Sequence, residues 1–309
     1  TGYSVPGSPV LADGVLYVGS MDRCLYALDP ESGKALWKFE TQGSIHGSPA
    51  IDGKAAYVGS RDGHLYAVDR KSGKEIWKFK TGGGIFSSPL VFKKVVCFGG
   101  DDGKFYALDA GSGARRWEFA ADGKIVGGAA LAEGLLVFGT DRGTLCAVEF
   151  SSGQKKWEFK AGREFVVTPA IADKTVYAGA MDRVFYALDL ATGQRKWSYR
   201  AGNEIASSAA VDGGTVYFGC DDNRLYALDA ASGKPRWAFS GQGMMGSSPS
   251  LAGGLVYVGS RDGHLYAVDR QSGRQVWAFA APGWVRSSPA VEGGVLFFGC
   301  DDGSVIALK

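Results

Sequence analysis

Seven tryptophans, Trp37, Trp77, Trp117, Trp157, Trp197, Trp237 and Trp277, follow one another at a constant step of 40 residues, without an insertion or deletion between them. A chain with this period is made of stacked copies of one supersecondary unit, since a single copy cannot bury its own apolar face. Short β-like segments repeated at about 40 residues point to propeller blades. The period also says where to look for function. What every copy shares belongs to the scaffold, and what differs between copies is free to bind.

Each unit reads as four strands. In the copy spanning residues 44–81, Ile45–Ile51 is predicted as a first strand ending at the Asp52-Gly53 turn. The apolar run Ala55–Val58 is a second strand, covered on both faces. Arg61-Asp62-Gly63 forms a three-residue hairpin loop, with Gly at the left-handed position, and leads to a third strand at Leu65–Val68. Asp69–Gly73 is the next turn, its carboxylate placed to accept backbone N–H bonds. Glu75–Lys80 is the fourth strand, where Trp77 and Phe79 share one face and Lys78 and Lys80 the other.

The first three strands recur eight times but the Trp strand only seven. The expected fold is therefore all-β: an eight-bladed β-propeller of four-stranded blades, one of them lacking its outer Trp strand, with residues 1–309 as a single domain. Thr1 aligns with Thr41, just past the end of a Trp strand, and Lys309 with Asp29. The eighth Trp strand is expected upstream of Thr1. Without it, Ser304–Lys309 is an edge open to strand addition.

A net charge of +2 and a pI near 8.2 are too mild for a nucleic-acid binder, which concentrates basic residues on one face. No apolar run approaches the roughly 20 residues of a membrane span. No signal peptide is apparent, and a start at Thr1 rather than Met reads as processing or trimming. Cys220 and Cys300 hold the same repeat position two blades apart, beyond the roughly 7 Å within which Cα atoms can be bridged. With Cys24, Cys97 and Cys146 they are expected to be free, mostly buried thiols, which leaves the compartment open.

Aperiodic positions fall in two sets that converge on one face of the disc, at the mouth of the central channel. One set follows the Trp strand and includes Lys124, Glu164, Glu204, Met244 and Trp284, with His46, Phe86 and Arg286 two positions further on. The other is the hairpin between strands two and three, such as Met21-Asp22-Arg23, Arg61-Asp62-Gly63 and Asp101-Asp102-Gly103. The mouth is lopsided: Lys124, Arg163, Glu164, Asn203 and Glu204 lie on one side, and Met244, Met245, Trp284, Arg286 and His46 on the other. These residues and Phe86 form the candidate binding patch. Trp284 leads it, because it stands outside the 40-residue series. The plainer alternative is a solvated rim with weak ion pairs such as Lys124 with Glu164. The Asp-Asp-Gly hairpins lack the spaced ligands of a calcium loop and suit turns. His64 and His264 sit five copies apart and cannot share a metal site. No nucleophile–base pair and no catalytic residue stand out.

The sequence Ala-x-Asp-x-x-Ser/Thr-Gly-x-x-x-Trp, seen at Ala27, Asp29, Ser32, Gly33 and Trp37 and again at Ala187, Asp189, Thr192, Gly193 and Trp197, resembles the tryptophan-docking motif of the PQQ-type, quinoprotein-like β-propellers. The resemblance covers the whole chain, and Glu149 in place of the Asp is a small departure. It implies two lines of function. Quinoprotein dehydrogenases of this family carry PQQ stacked on a Trp and against a disulfide between adjacent cysteines, with calcium held by carboxylate and amide ligands. Glu164, Asn203 and Glu204 resemble such a cation set, but Lys124 and Arg163 stand beside it, and the sequence has no Cys-Cys pair. PQQ with Ca²⁺ is thus the alternative, and the expected cofactor is none. Better likenesses are the non-catalytic propeller lipoproteins of the outer-membrane barrel-assembly machinery (BamB-type) and sensor propellers attached to bacterial kinases. They imply a non-enzymatic binding or scaffold role for a monomeric ring, with a protein or peptide partner at the mouth, and they favour a periplasmic or extracytoplasmic setting. Gly59–Arg70 recurs verbatim at Gly259–Arg270, which also suits an amplified or engineered repeat without a selected ligand.

Overall fold

The computed structural model describes residues 1–309 as strands and turns without a helix. The strands form eight antiparallel meanders, seven of four strands and one of three. Blade one spans residues 10–40, and each later blade lies 40 residues on. Blade eight, the three-stranded one, has strands Ala290–Glu292, Val295–Gly299 and Val305–Leu308.

Blade two tests the sequence reading strand by strand. Its strands are Ala50–Asp52, Ala55–Gly59, His64–Asp69 and Glu75–Lys80. The last three match expectation to within a residue at each end, but the first begins at Ala50 rather than Ile45. The reason is that residues 45–49 find their partners in neighbouring blades. The Ile45 N–H donates back to the Ser20 carbonyl of blade one (3.2 Å), while the Ser48 N–H donates forward to Ser88 Oγ of blade three (2.9 Å). A segment committed sideways in this way cannot also ladder with its own second strand.

Those forward bonds repeat around the channel. Backbone N–H groups of Ser8, Ser48, Gly128, Thr168, Ser208 and Ser248 each donate to the hydroxyl 40 residues on, at 2.8 to 3.0 Å. Ser288 closes the circle by donating to Ser8 Oγ at 3.2 Å. The one step left out is from Ser88, because the residue 40 positions on, Gly128, has no hydroxyl to accept. Blades eight and one are therefore joined at the channel although their outer edges are not built alike.

The core lies between blades. The inward face of one blade packs on the back of the next, as where Val137, Leu145 and Trp157 meet Val176, Tyr186 and Leu188. At the rim, the indole N–H of Trp37 donates to the Arg70 carbonyl of the following blade at 2.8 Å, and Trp77, Trp117, Trp157, Trp197 and Trp237 repeat the bond at 2.8 to 3.1 Å. Trp277 packs against Tyr257 and the blade-eight cluster around Phe298. In the turn, Asp69 accepts from the Ser72 N–H (2.8 Å) and hydroxyl (2.7 Å), as its position predicts. Glu149, one carbon longer, keeps only the hydroxyl bond, from Ser152 at 2.8 Å. The turn glycine has a second duty that spacing alone does not reveal. Gly73 has φ of +69°, and a Cβ there would fall 2.8 Å from the indole of Trp37. Glycine is needed both for the left-handed turn and for the indole lying over it.

All five cysteines are buried and free. Burial pushes the Cys97 and Cys146 thiols up to about 12, so they remain protonated and unreactive at neutral pH.

Candidate functional site

The two aperiodic sets do meet. The Arg61 N–H donates to the Ser44 carbonyl (2.9 Å), and Asp101 to Gly84, Asp221 to Glu204 and Arg261 to Met244 repeat the bond, so each hairpin is stitched beside the residue that enters the channel. Residues two positions further on, including His46, Phe86, Val166 and Arg286, line the channel itself, a cavity of about 260 Å³ whose wall is otherwise mostly glycine and serine.

One side of the mouth is aromatic and basic. The Arg61 guanidinium lies over the Phe86 ring, 4.0 Å from its centroid, and the His46 ring packs against the same Phe86 with centroids 4.7 Å apart. His46 Nε2 lies 2.9 Å from Ser44 Oγ. Burial, with Arg61 and Arg286 nearby, holds the His46 pKa below its usual value, so this imidazole is neutral at pH 7. Arg286 is bidentate to Asp301, at 3.0 Å from Nε and 2.8 Å from the terminal nitrogen, and Ser4 Oγ donates to the same carboxylate at 2.7 Å. Trp284 stands on this side with half of its surface exposed. The arginine–aromatic pair here is Arg61 with Phe86, not Arg286 with Trp284.

The other side is built of ion pairs. Arg163 bridges Glu164 and Glu204, two carboxylates from adjacent blades. Glu164 therefore pairs with Arg163 and not, as the sequence suggested, with Lys124. Lys124 is exposed, and its charge acts on Asp101 instead. The Asn203 amide donates to the Asp221 carbonyl at 3.3 Å. Met244 is exposed, with its sulfur 3.4 Å from an Arg261 nitrogen. Met245 is the correction. It is fully buried in the cluster with Tyr217, Leu225 and Tyr266, because it holds the register position that is apolar in every copy and points between blades. It is core and takes no part in the patch.

Four residues of the mouth escaped the sequence-derived patch: Arg61, Asp101, Asp221 and Arg261. Each is the first residue of a hairpin, a position that varies from Met21 to Arg61 to Asp101 while the next is almost always Asp. That contrast was the available signal. That Asp, replaced only by Arg142, is occupied structurally: Asp62, for example, accepts from the Gln42 and His64 N–H groups and from the Tyr66 hydroxyl, at 2.8 to 2.9 Å. Of the variable residues before it, Asp301 and Asp141 do find partners, in Arg286 and Ser4 and in the Lys124 N–H, whereas Asp101, Asp221 and Arg261 each keep a buried side-chain atom without one. The only buried side-chain polar atoms of the chain without a hydrogen-bond partner are Asp101 Oδ1, Asp221 Oδ1, Glu164 Oε2 and Arg261 Nε, all at this mouth. Glu164 Oε2 lies 3.3 Å from Arg163 Nε, close enough for an ion pair but misaligned for a hydrogen bond. Burial raises the pKa of Asp101 against the opposing pull of Lys124 and Arg61, and raises that of Asp221 against Arg261.

Comparison with known proteins gives one family and one fold. The family model described as outer membrane protein assembly factor BamB matches residues 3–121, 101–240 and 238–309. Among solved structures, the computationally designed Ika8 protein superposes with a TM-score of 0.89 at 16% identity, over 99% of this chain and 96% of that one. BamB from Moraxella catarrhalis gives 0.86 at 20%, over 98% and 96%. The quinohemoprotein alcohol dehydrogenase from Comamonas testosteroni gives 0.84 at 17%, over 96% of this chain and 70% of that one. At these identities the superpositions speak to fold alone. No curated protein matches the chain.

Proposed function

We propose that this chain, which belongs to the family of the outer membrane protein assembly factor BamB, is a non-enzymatic binding scaffold that engages a protein or peptide at the channel mouth. The observation that carries the reading is the gathering of every unpartnered buried polar side-chain atom at that mouth, beside the exposed Trp284 and Met244. Buried polar atoms are ordinarily paired, because an orphan costs its desolvation without return. A peptide offers N–H and C=O groups to such atoms and apolar side chains to Trp284 and Met244. Exposed aromatics and arginines are the residue types that anchor interfaces.

A cofactor-dependent dehydrogenase fits the residues less well. The gap between Glu164 and Glu204, where a calcium ion would have to sit, is filled by the Arg163 guanidinium. Trp284 offers a stacking face, but no pair of adjacent cysteines accompanies it.

Immobilised protein carrying Trp284→Ala with Arg286→Ala is expected to lose a protein ligand that the parent retains from a bacterial envelope extract, with an unchanged circular dichroism spectrum. Equal recovery of every ligand removes the mouth as the site. Addition of PQQ and Ca²⁺ is expected to leave absorbance and melting temperature unaltered, and dye-linked alcohol oxidation overturns the scaffold reading.

A further inference from the structure

Two of the four orphaned atoms at the mouth face one another across a single residue. Asp221 Oδ1 comes from the hairpin of blade six and Arg261 Nε from that of blade seven, and both are buried without a partner. Between them lies Gly246, the one glycine at a channel position that carries His46, Phe86, Val166 and Arg286 in other copies. A Cβ on Gly246 would stand 3.9 Å from Asp221 Oδ1, 3.9 Å from Arg261 Nε and 3.8 Å from Arg261 Nη2. The missing side chain thus leaves a notch in the channel wall, floored by Gly246 and flanked by a carboxylate and a guanidinium. Arg261 is held in this pose by Met244, whose carbonyl accepts its N–H at 2.9 Å and whose sulfur lies 3.4 Å from Nη1. The edge bearing Nε and Nη2 is therefore the one turned to the notch. In blade eight the same edge of Arg286, which stands at the Gly246 position, is taken by Asp301. Half a ring away, Arg61 and Asp101 flank Gly84, but there a Cβ would meet Arg61 Nε and Asp101 Oδ2 at 3.4 Å, and Arg61 is committed to Phe86. The Gly246 notch is the roomier of the two, and the one with an orphan on both sides.

We propose that the Gly246 notch takes a carboxamide, the side chain of a Gln or Asn of the peptide partner, an inference that rests on the reading of the mouth as a peptide site. One orphan is a donor and the other an acceptor. A primary amide carries an acceptor oxygen and a donor nitrogen side by side in one plane, so a single group answers both. Its nitrogen donates to Asp221 Oδ1, and its oxygen accepts from the Arg261 Nε–H. Charge separates the amide from its ionic relatives of similar shape. A carboxylate in the notch would face Asp221, with Glu204 close behind it, and an ammonium would face Arg261. A neutral amide meets neither repulsion and leaves the two protein charges balanced. The exposed Met244 beside the notch gives the methylenes of the amide side chain an apolar contact.

The probe is butyramide, titrated into the 309-residue protein labelled with nitrogen-15 at arginine and followed through the Arg261 Nε–H resonance, which is assigned by its loss in Arg261→Lys. Butyramide is expected to shift that signal saturably. Butyrate, butylammonium and 2-pentanone, which lacks the donor, are expected to bind about tenfold more weakly or less, since each leaves one orphan unpaired or faces a like charge. Gly246→Ala, whose Cβ fits at ordinary contact distance, fills the notch without disturbing the fold and abolishes the shift. Absence of saturation up to about 100 mM butyramide, a generous limit for so small a ligand, overturns the proposal. So does a shift that all four probes produce alike or that Gly246→Ala leaves unaltered, the mark of a site that holds only water. The two readings of the mouth fail separately. A protein ligand lost with Trp284→Ala and Arg286→Ala but held equally by Gly246→Ala overturns the carboxamide site and leaves the mouth as the binding face.

Discussion

The outer turns and the channel mouth hold aspartates of the same 40-residue unit in contrary ways. At the rim, Asp109 accepts from Arg116 at 2.7 Å and from Ser112 at 3.0 Å, and its pKa falls to about 2, with Arg116 the leading cause. Asp229 is held low in the same way by Arg236 and Ser232. At the mouth, burial raises Asp101 and Asp221, and each keeps an oxygen without a partner. Rim carboxylates are satisfied by their own turn, which every copy repeats. Mouth carboxylates are withdrawn from water by the convergence of blades and are left to find partners elsewhere. Perturbation of this kind, set in a cleft, is what binding sites share.

The largest way to break the comparison is at the rim. Trp157 is the most buried of the periodic tryptophans, its indole bonded to the Leu190 carbonyl at 2.8 Å. Trp157→Ala is expected to cost about 3–5 kcal/mol in denaturant unfolding. A loss below 1 kcal/mol would mean that the girdle does not hold the blades together.

The aspartates give a smaller and directional effect. The folded pKa of Asp109 is depressed, so its contribution is present above the unfolded value near 3.8 and is lost as pH falls toward about 2. Asp221 is raised, so its contribution is present below the unfolded value and is lost as pH rises through the folded one. At pH 7, Asp109→Asn is thus expected to lower the melting temperature and Asp221→Asn to leave it equal or higher, with the Asp109 difference shrinking in acid. Melts at pH 7 and pH 3 that gave both variants the same sign would erase the distinction.

Trp284→Ala should move stability least, within about 0.5 kcal/mol, because its side chain is half exposed and belongs to no docking contact. A larger thermal shift would make Trp284 part of the scaffold.

Much of this molecule was legible from its period. The number of blades, the three-stranded eighth blade, the Trp strand Glu75–Lys80 and the turn aspartates depend on contacts within one unit or on its verbatim repetition, and spacing reports such contacts directly. What the period could not give is who meets whom across blades. Arg61 stacks on Phe86 from the next blade, and Arg163 reaches Glu204, 41 residues on. Met245 turns inward beside the exposed Met244, and residues 45–49 abandon their own ladder for two neighbours. These depend on the angle and closeness at which eight sheets converge on one channel. A strand's alternation fixes which residues share a face, but only the closed ring decides what that face is turned toward.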